Sequence, residues 1–139
     1  MKELVIIRGV PGTGKTTLAN SQLFTNHKKY EADMYFTDKQ GNYEFDINNI
    51  REAHEWCMMS VENCMKSGLE VVVSNTFTTY REMRHYVELA DYFGYTIKVI
   101  TLTKEYGSVH NVPEETMQRM RNRFQDHSSV LAWMESRDA

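Results

Sequence analysis

The sequence predicts an α/β fold of three layers, a small parallel sheet of four to five strands with helices on both faces. Two observations carry the expectation. Short aliphatic runs, Glu3 to Ile7, Val71 to Val73 and Thr96 to Leu102, alternate along the chain with stretches of helical periodicity. Strands separated by helices cross over in parallel, and that burial on both faces explains the unbroken β-branched run at Val71-Val72-Val73. At 139 residues, 41% of them apolar or aromatic, the chain reads as a single domain over 1–139.

The elements follow in order. Glu3 to Ile7 is a buried strand stopped by a glycine-rich turn, and a helix runs from Lys15 to about Phe24. Tyr30 to Asp33 reads as a second short strand, and Asp38, Gly41 and Asn42 mark a surface loop over Thr37 to Tyr43. Asn49-Ile50-Arg51-Glu52 has the form of a capping box. Ile50, Ala53, Cys57, Val61 and Cys64 then recur at helical spacing until Ser67-Gly68. Glu70 to Ser74 is the next strand. A second capping box, Thr79-Tyr80-Arg81-Glu82, opens a helix with Met83, Val87, Ala90 and Phe93 on its apolar face, ended by Gly94. After the strand Thr96 to Leu102 comes a loop, Thr103 to Val112, which is a candidate lid. Pro113-Glu114-Glu115 suits the first turn of a helix carrying Met117, Met120 and Phe124. A short helix is expected around Val130 to Met134.

Charge and cysteines narrow the classes. A net charge of −3 and a pI near 5.9 argue against a wide, non-specific grip on nucleic acid, though not against a small basic pocket for one strand end. Cys57 and Cys64 lie two helical turns apart, roughly 10 Å, too far for a disulfide. They read as buried thiols in a reducing compartment. No run approaches a membrane span, and the N-terminus opens into a strand without a signal-peptide pattern. The expectation is a soluble, cytoplasmic protein of unspecified oligomeric state.

Gly9-Val10-Pro11-Gly12-Thr13-Gly14-Lys15-Thr16 matches G-x-x-x-x-G-K-[ST] without mismatch, followed by Thr17. The glycines let the backbone curl so that successive N–H groups face phosphate oxygens. Lys15 is expected at the β- and γ-phosphates and the Thr16 hydroxyl on Mg²⁺. A strand before the loop and a helix after it complete the P-loop context, so ATP and Mg²⁺ are the expected cofactors. Ligands in such sheets sit beyond the carboxyl ends of the strands, which here are Arg8-Gly9, Ala32-Asp33, Ser74-Asn75 and Thr101-Leu102-Thr103.

Phosphoryl transfer also asks for a carboxylate near the nucleophile and for cations on the transferring group. Asp33, at the end of the second expected strand, is the best carboxylate. Asn75 and Thr76 can bind a water or phosphate but add no charge to the metal site. Lys104, Arg119 and Arg123 are the candidate cations, with Arg121 on the same helix. His54 and Trp56 are candidate lining for an acceptor pocket, since an aromatic ring can stack a base.

Taken in order, these segments resemble the kinase domain of bacteriophage polynucleotide 5′-hydroxyl kinase and its small AAA-type ATP-binding relatives. The resemblance rests on Arg8 to Thr17, Ala32-Asp33-Met34-Tyr35-Phe36, Ala53-His54-Glu55-Trp56-Cys57, Val71 to Thr76 and His110-Asn111-Val112-Pro113, up to Met120. It implies a P-loop kinase that moves the γ-phosphate of ATP onto the 5′-hydroxyl of a DNA or RNA end. It also implies that Asp33 is the general base, with Lys15 and Thr16 at the phosphates and Mg²⁺. The family's Asp-Asp-Tyr-Arg becomes Asp33-Met34-Tyr35-Phe36, the acid expected near Asn75 is an amide, and the segment from Lys104 to Val109 offers one lysine where lid arginines are expected. Two alternatives stay open: a kinase of a nucleoside or sugar, and a slow ATPase acting as a nucleotide-dependent switch.

Overall fold

The computed structural model describes residues 2–107 and 112–137. Among them four parallel strands form one sheet: β1 (Glu3–Arg8), β2 (Lys28–Tyr30), β3 (Val71–Asn75) and β4 (Thr96–Thr101), in the order β2-β3-β1-β4. β1 lies inside, with Ile6 opposite Val73 on one side and Val99 on the other. Its side chains alternate between two cores, as the period of a strand requires. Leu4 and Ile6 join Val71 and Val73 on the face covered by α2 (Ile50–Lys66), α3 (Tyr80–Phe93) and α5 (His127–Ser136). Val5, Ile7 and Val72 face the other way, towards Ala19 of α1 (Lys15–Ala19) and Phe24. The helix α4 (Glu114–Arg123) buries Met117. The three-layer expectation therefore holds, with four strands. Cys57 and Cys64 are buried and free. No helix among the described residues is long and apolar enough to cross a membrane.

Three local expectations change. The first helix ends at Ala19; Ser21 is extended, and Gln22–Phe24 form a separate 3₁₀ turn. Asn20-Ser21 favours this break because short polar side chains compete with helical hydrogen bonds. The second strand is Lys28–Tyr30, not Tyr30 to Asp33. Beyond Tyr30 the Ala32 amide donates to Asn75 Oδ1 at 2.9 Å, and Ala32–Phe36 coil into a 3₁₀ helix that carries Asp33. Neither expected capping box forms through its own N-cap side chain. Asp46 instead caps a 3₁₀ turn leading into α2, and Glu82 accepts from the Thr78 amide at 3.1 Å, one residue before the N-cap.

Among the described residues the largest fully buried side chain is Arg8. Its Nε donates to Phe77 O at 2.9 Å, Nη1 to Thr101 Oγ1 at 3.2 Å, and Nη2 to Thr78 O at 3.3 Å and Gln125 O at 2.7 Å. The guanidinium carbon lies 4.1 Å from the centre of the Phe124 ring, a cation–π contact. Burial lowers its pKa to about 10, against the opposing pull of Glu82 and Asp126. It stays charged at neutral pH. Phe77, whose carbonyl meets Nε, holds a left-handed φ of 43°, a strained conformation for a bulky residue.

Arg8→Met should therefore strand three carbonyls in the interior and cost about 3–5 kcal/mol, the range for breaking a buried charged cluster. Urea unfolding would read this as a lower midpoint at unchanged slope. Arg8→Lys should recover only part of the loss, because one ammonium cannot reach both Phe77 and Gln125.

Candidate functional site

The loop between β1 and α1 forms a tight cradle. A Cβ on Gly9 would lie 2.4 Å from Thr13 Oγ1 and 2.8 Å from the Leu102 carbonyl, so no side chain fits there. Gly12 and Gly14 turn the backbone with φ of 89° and 85°, which glycine adopts without steric cost. Thr13 Oγ1 and Lys15 Nζ both donate to the Val10 carbonyl, at 2.9 and 3.2 Å. Burial lowers the Lys15 pKa, while the nearby negative charges of Glu31 and Asp33 work against it. Thr17 is exposed on α1 and Pro11 half-buried in the loop.

Beyond β4 the chain folds back over this loop. The Tyr106 amide donates to Gly12 O at 2.8 Å, and Lys104 Nζ sits 5.0 Å from the centre of the Tyr106 ring. Of the three candidate cations, Lys104 is the one tied to the cradle. Arg119 donates to Thr116 on its own helix at 3.2 Å, and Arg123 donates to Thr78 Oγ1 at 2.9 Å, beside the Arg8 carbonyl partners. Arg121 is held by Glu105 and Glu114 at 2.8 and 2.9 Å, which raises its pKa. Residues 108–111 of the candidate lid, including His110 and Asn111 of the family resemblance, lie outside the described residues.

A carboxylate stands beside Thr16 that the sequence reading did not single out. Thr16 Oγ1 is 3.1 and 2.9 Å from the two carboxylate oxygens of Glu31. Glu31 is half-buried at the end of β2, and burial raises its pKa, with the Thr16 hydrogen bond pulling the other way. The signal was present as an acid at a strand's carboxyl edge. The expected strand runs to Asp33, whereas β2 ends at Tyr30 and leaves Glu31 at that edge. Asp33 is exposed on the following 3₁₀ helix, where the Tyr43 hydroxyl donates to Oδ1 at 3.2 Å. Burial and the Asp33 charge hold the Tyr43 phenol above its usual pKa.

The remaining candidates separate into two groups. Asn75 is buried, and its amide is engaged with Ala32 N and, at 3.8 Å, Cys57 Sγ. Thr76 offers its carbonyl to the Gly9 amide at 3.2 Å. Both shape the cradle and its flank through these bonds. Trp56 is half-buried, with its ring centre 5.8 Å from that of Tyr30 and 6.1 Å from that of Tyr35, whereas His54 is exposed. A cleft of about 290 Å³ opens beside the cradle, between Thr16, Asn20, Lys29, Glu31, Met34 and Ser74. A second, of about 140 Å³, lies between Val10, Leu102, Thr103, Glu105, Arg121 and Phe124.

A profile of the family described as "AAA domain" matches residues 4–105, which contain the cradle, Glu31, Asp33 and, but for Glu3 at the start of β1, all four strands. The chain belongs to the AAA-domain family, among its P-loop kinases. Relatives of this AAA domain include human NEDD4-binding protein 2, 29% identical across 96% of the chain and 8% of that protein. Another is the bifunctional polynucleotide phosphatase/kinase of Schizosaccharomyces pombe, 27% identical across 89% of the chain and 30% of that protein. The chain thus spans less than a third of the length of either relative. Among solved structures, the Pnkp1/Rnl/Hen1 RNA repair complex contains a chain with a TM-score of 0.71 at 17% identity, covering 89% of this chain and 44% of that one. A gluconokinase from Sinorhizobium meliloti 1021 gives a TM-score of 0.60 at 15% identity, covering 89% and 75%. These likenesses bear out the three-layer P-loop fold and the resemblance to the polynucleotide kinase domain.

Gly9→Ala should push Thr13 and Leu102 apart and open the cradle. ATP binding followed by calorimetry should weaken by about tenfold or more, equal to about 1.4 kcal/mol, with a lower melting temperature. Gly41→Ala, in a surface turn where a Cβ meets nothing within 4 Å but φ is +86°, is the control for backbone strain alone; it should lower the melting temperature yet leave ATP affinity unchanged.

Proposed function

We propose that this AAA domain is an ATP-dependent kinase that transfers the γ-phosphate to a hydroxyl acceptor, the 5′-hydroxyl of a polynucleotide end. The observation that carries the reading is the meeting of Thr16 and Glu31 on the wall of a cleft of about 290 Å³, with Lys15 in the electrostatic field of Glu31 and Asp33. A phosphate cradle alone would serve a switch as well; a cradle that opens onto a cleft lined by an acid, Glu31, suits transfer.

The residues divide the work. The backbone amides from Gly9 to Thr17 hold the ATP phosphates, and Lys15 exchanges the Val10 carbonyl for phosphate oxygens. Thr16 Oγ1 and the Glu31 carboxylate form a set of hard oxygens, the donor chemistry that Mg²⁺ takes. Magnesium bound there with ATP supplies positive charge against the β- and γ-phosphate oxygens. Asp33, steadied by Tyr43, accepts the proton of the acceptor hydroxyl as its oxygen bonds to the γ-phosphorus and ADP departs. Lys104, beside Tyr106 where the chain folds back against Gly12, is the candidate cation closest to the cradle and would meet the transferring phosphate.

Likeness to the fission-yeast enzyme over most of the chain supports a nucleic-acid end as acceptor. So do the Tyr43 ring, whose hydroxyl bonds Asp33, and the neighbouring rings of Tyr35 and Trp56, on which a terminal base can stack. A kinase of a nucleoside or sugar is the second reading, favoured by the small cleft of about 290 Å³ with Lys29 as its lining cation. The two free, buried thiols suit a cytoplasmic setting.

Transfer from γ-labelled ATP with Mg²⁺ should mark the 5′ end of a 5′-hydroxyl DNA or RNA oligomer. Asp33→Asn should lower the rate by about 10²–10⁴-fold while ATP affinity holds, and Lys15→Ala should lose both. Label on a nucleoside or sugar but on no oligomer selects the second reading; label on none rejects the kinase.

Glu31 gives a separate expectation. Burial holds its carboxyl above the usual range, so its ionised form is lost at a pH where an exposed glutamate is still charged. The Mg²⁺ concentration needed for half-maximal ATP binding should rise as pH falls from about 7 towards about 5. Glu31→Gln should raise that requirement and flatten its pH dependence.

A further inference from the structure

At the amino ends of the strands, on the edge of the sheet opposite the cradle, three side chains converge. Glu3 opens β1, His27 precedes β2 and Glu70 precedes β3. His27 Nε2 lies 3.3 Å from Glu3 Oε1 and 3.7 Å from Glu70 Oε2, and the three donor atoms are all within 4.8 Å of one another. β1 is six residues long, so about 20 Å of strand separates this cluster from the cradle.

The arrangement is built rather than incidental. The His27 ring stands edge-on to Phe24 with centres 5.3 Å apart and planes at 78°, and its side chain is only 11% exposed. Nδ1 points into the interior without a partner, so Nε2 is the nitrogen offered to the carboxylates. The Lys28 amide bonds the Glu70 carbonyl at 2.9 Å, which fixes the two strand starts relative to each other. Lys29 Nζ goes to the His27 carbonyl at 3.0 Å, not to either acid. Among the described residues the ion pairs of Glu3 and Glu70 are with His27 alone, and no lysine or arginine joins them.

One imidazole cannot satisfy both acids. A proton on Nε2 reaches Glu3, while Glu70 at 3.7 Å lies beyond a hydrogen bond. A divalent ion answers both carboxylates at once. Ligand distances of about 2.0–2.2 Å around a tetrahedral ion place donor atoms about 3.3–3.6 Å apart, close to the 3.3 and 3.7 Å that separate Nε2 from the two carboxylates. We propose that Glu3, His27 and Glu70 form a binding site for Zn²⁺ or a similar first-row divalent ion, with water in the open position. One nitrogen and two carboxylate oxygens suit this class of ion. The ion clamps the starts of β1, β2 and β3, a structural role independent of the phosphate site. With Nε2 on the metal, the proton sits on Nδ1, which has no acceptor. The supporting hydrogen bond that usually raises affinity about 10–100-fold is absent, so binding is moderate and reversible.

Protein stripped with a chelator and held in excess Mg²⁺, so that the cradle is saturated, should bind a single equivalent of Zn²⁺ by calorimetry. Its melting temperature should rise with added Zn²⁺, and Co²⁺ should give visible absorption typical of a four-coordinate site. His27→Gln should abolish all three responses with Mg·ATP binding unchanged. Glu70→Gln, at a half-buried surface position, should weaken Zn²⁺ by tenfold or more and carries the test if the histidine variant does not fold. No Zn²⁺ or Co²⁺ binding by the wild type, or the same binding in the variants, overturns the proposal.

Discussion

A single buried guanidinium holds the carboxyl end of the sheet together. Arg8 closes β1, and its nitrogens bind the loop after β3, the last residue of β4 and the turn between α4 and α5. Taking a charge out of water is expensive. Here the cost is offset by three carbonyls, a hydroxyl, the face of Phe124 and the nearby charges of Glu82 and Asp126. The strain at Phe77 belongs to the same arrangement, since the left-handed turn aims its carbonyl at Nε. The first glycine of the cradle follows Arg8 directly. Where that glycine sits is therefore decided by segments far away in the chain.

The acid beside Thr16 comes from the end of β2, two residues before the one expected there. The end of β3 carries an amide, Asn75, which accepts the Ala32 amide and so ends β2 at Tyr30. That turn brings Glu31 under the Thr16 hydroxyl and lifts Asp33 onto the outer side, within reach of Tyr43. A neutral residue on one strand thus positions two acids on its neighbour. The burial that keeps Glu31 close also weakens its tendency to ionise.

What was legible in the sequence was local or periodic. The cradle is written in consecutive residues, and Val71 to Val73 declare a strand covered on both faces. The helices of Ile50–Lys66 and Tyr80–Phe93 follow from their apolar spacing. What was hidden depended on partners distant in sequence. Lys28-Lys29 carries no apolar signal and becomes strand by pairing with Val71 and Val72. Its end is set by Asn75, 43 residues beyond Ala32. Both capping patterns had suitable residues, but their bonds formed elsewhere: Asp46 in a preceding turn, and Glu82 with Thr78. Arg123 read as a free cation on a helix, yet Thr78 holds it. Arg8 gave no sign beyond its place at a strand end.

The reach of Arg8 along the chain also orders events during synthesis. Its partners lie 69, 70, 93 and 117 residues away. In synthesis the glycines of the cradle are made well before Gln125, 117 residues after Arg8, so the guanidinium beside them lacks its full set of partners until that stretch has left the ribosome. Parallel pairings of this separation form slowly. Until then the glycine loop lacks the anchor that Arg8 gives it in the folded chain. The first part of the site to be made is among the last to become competent.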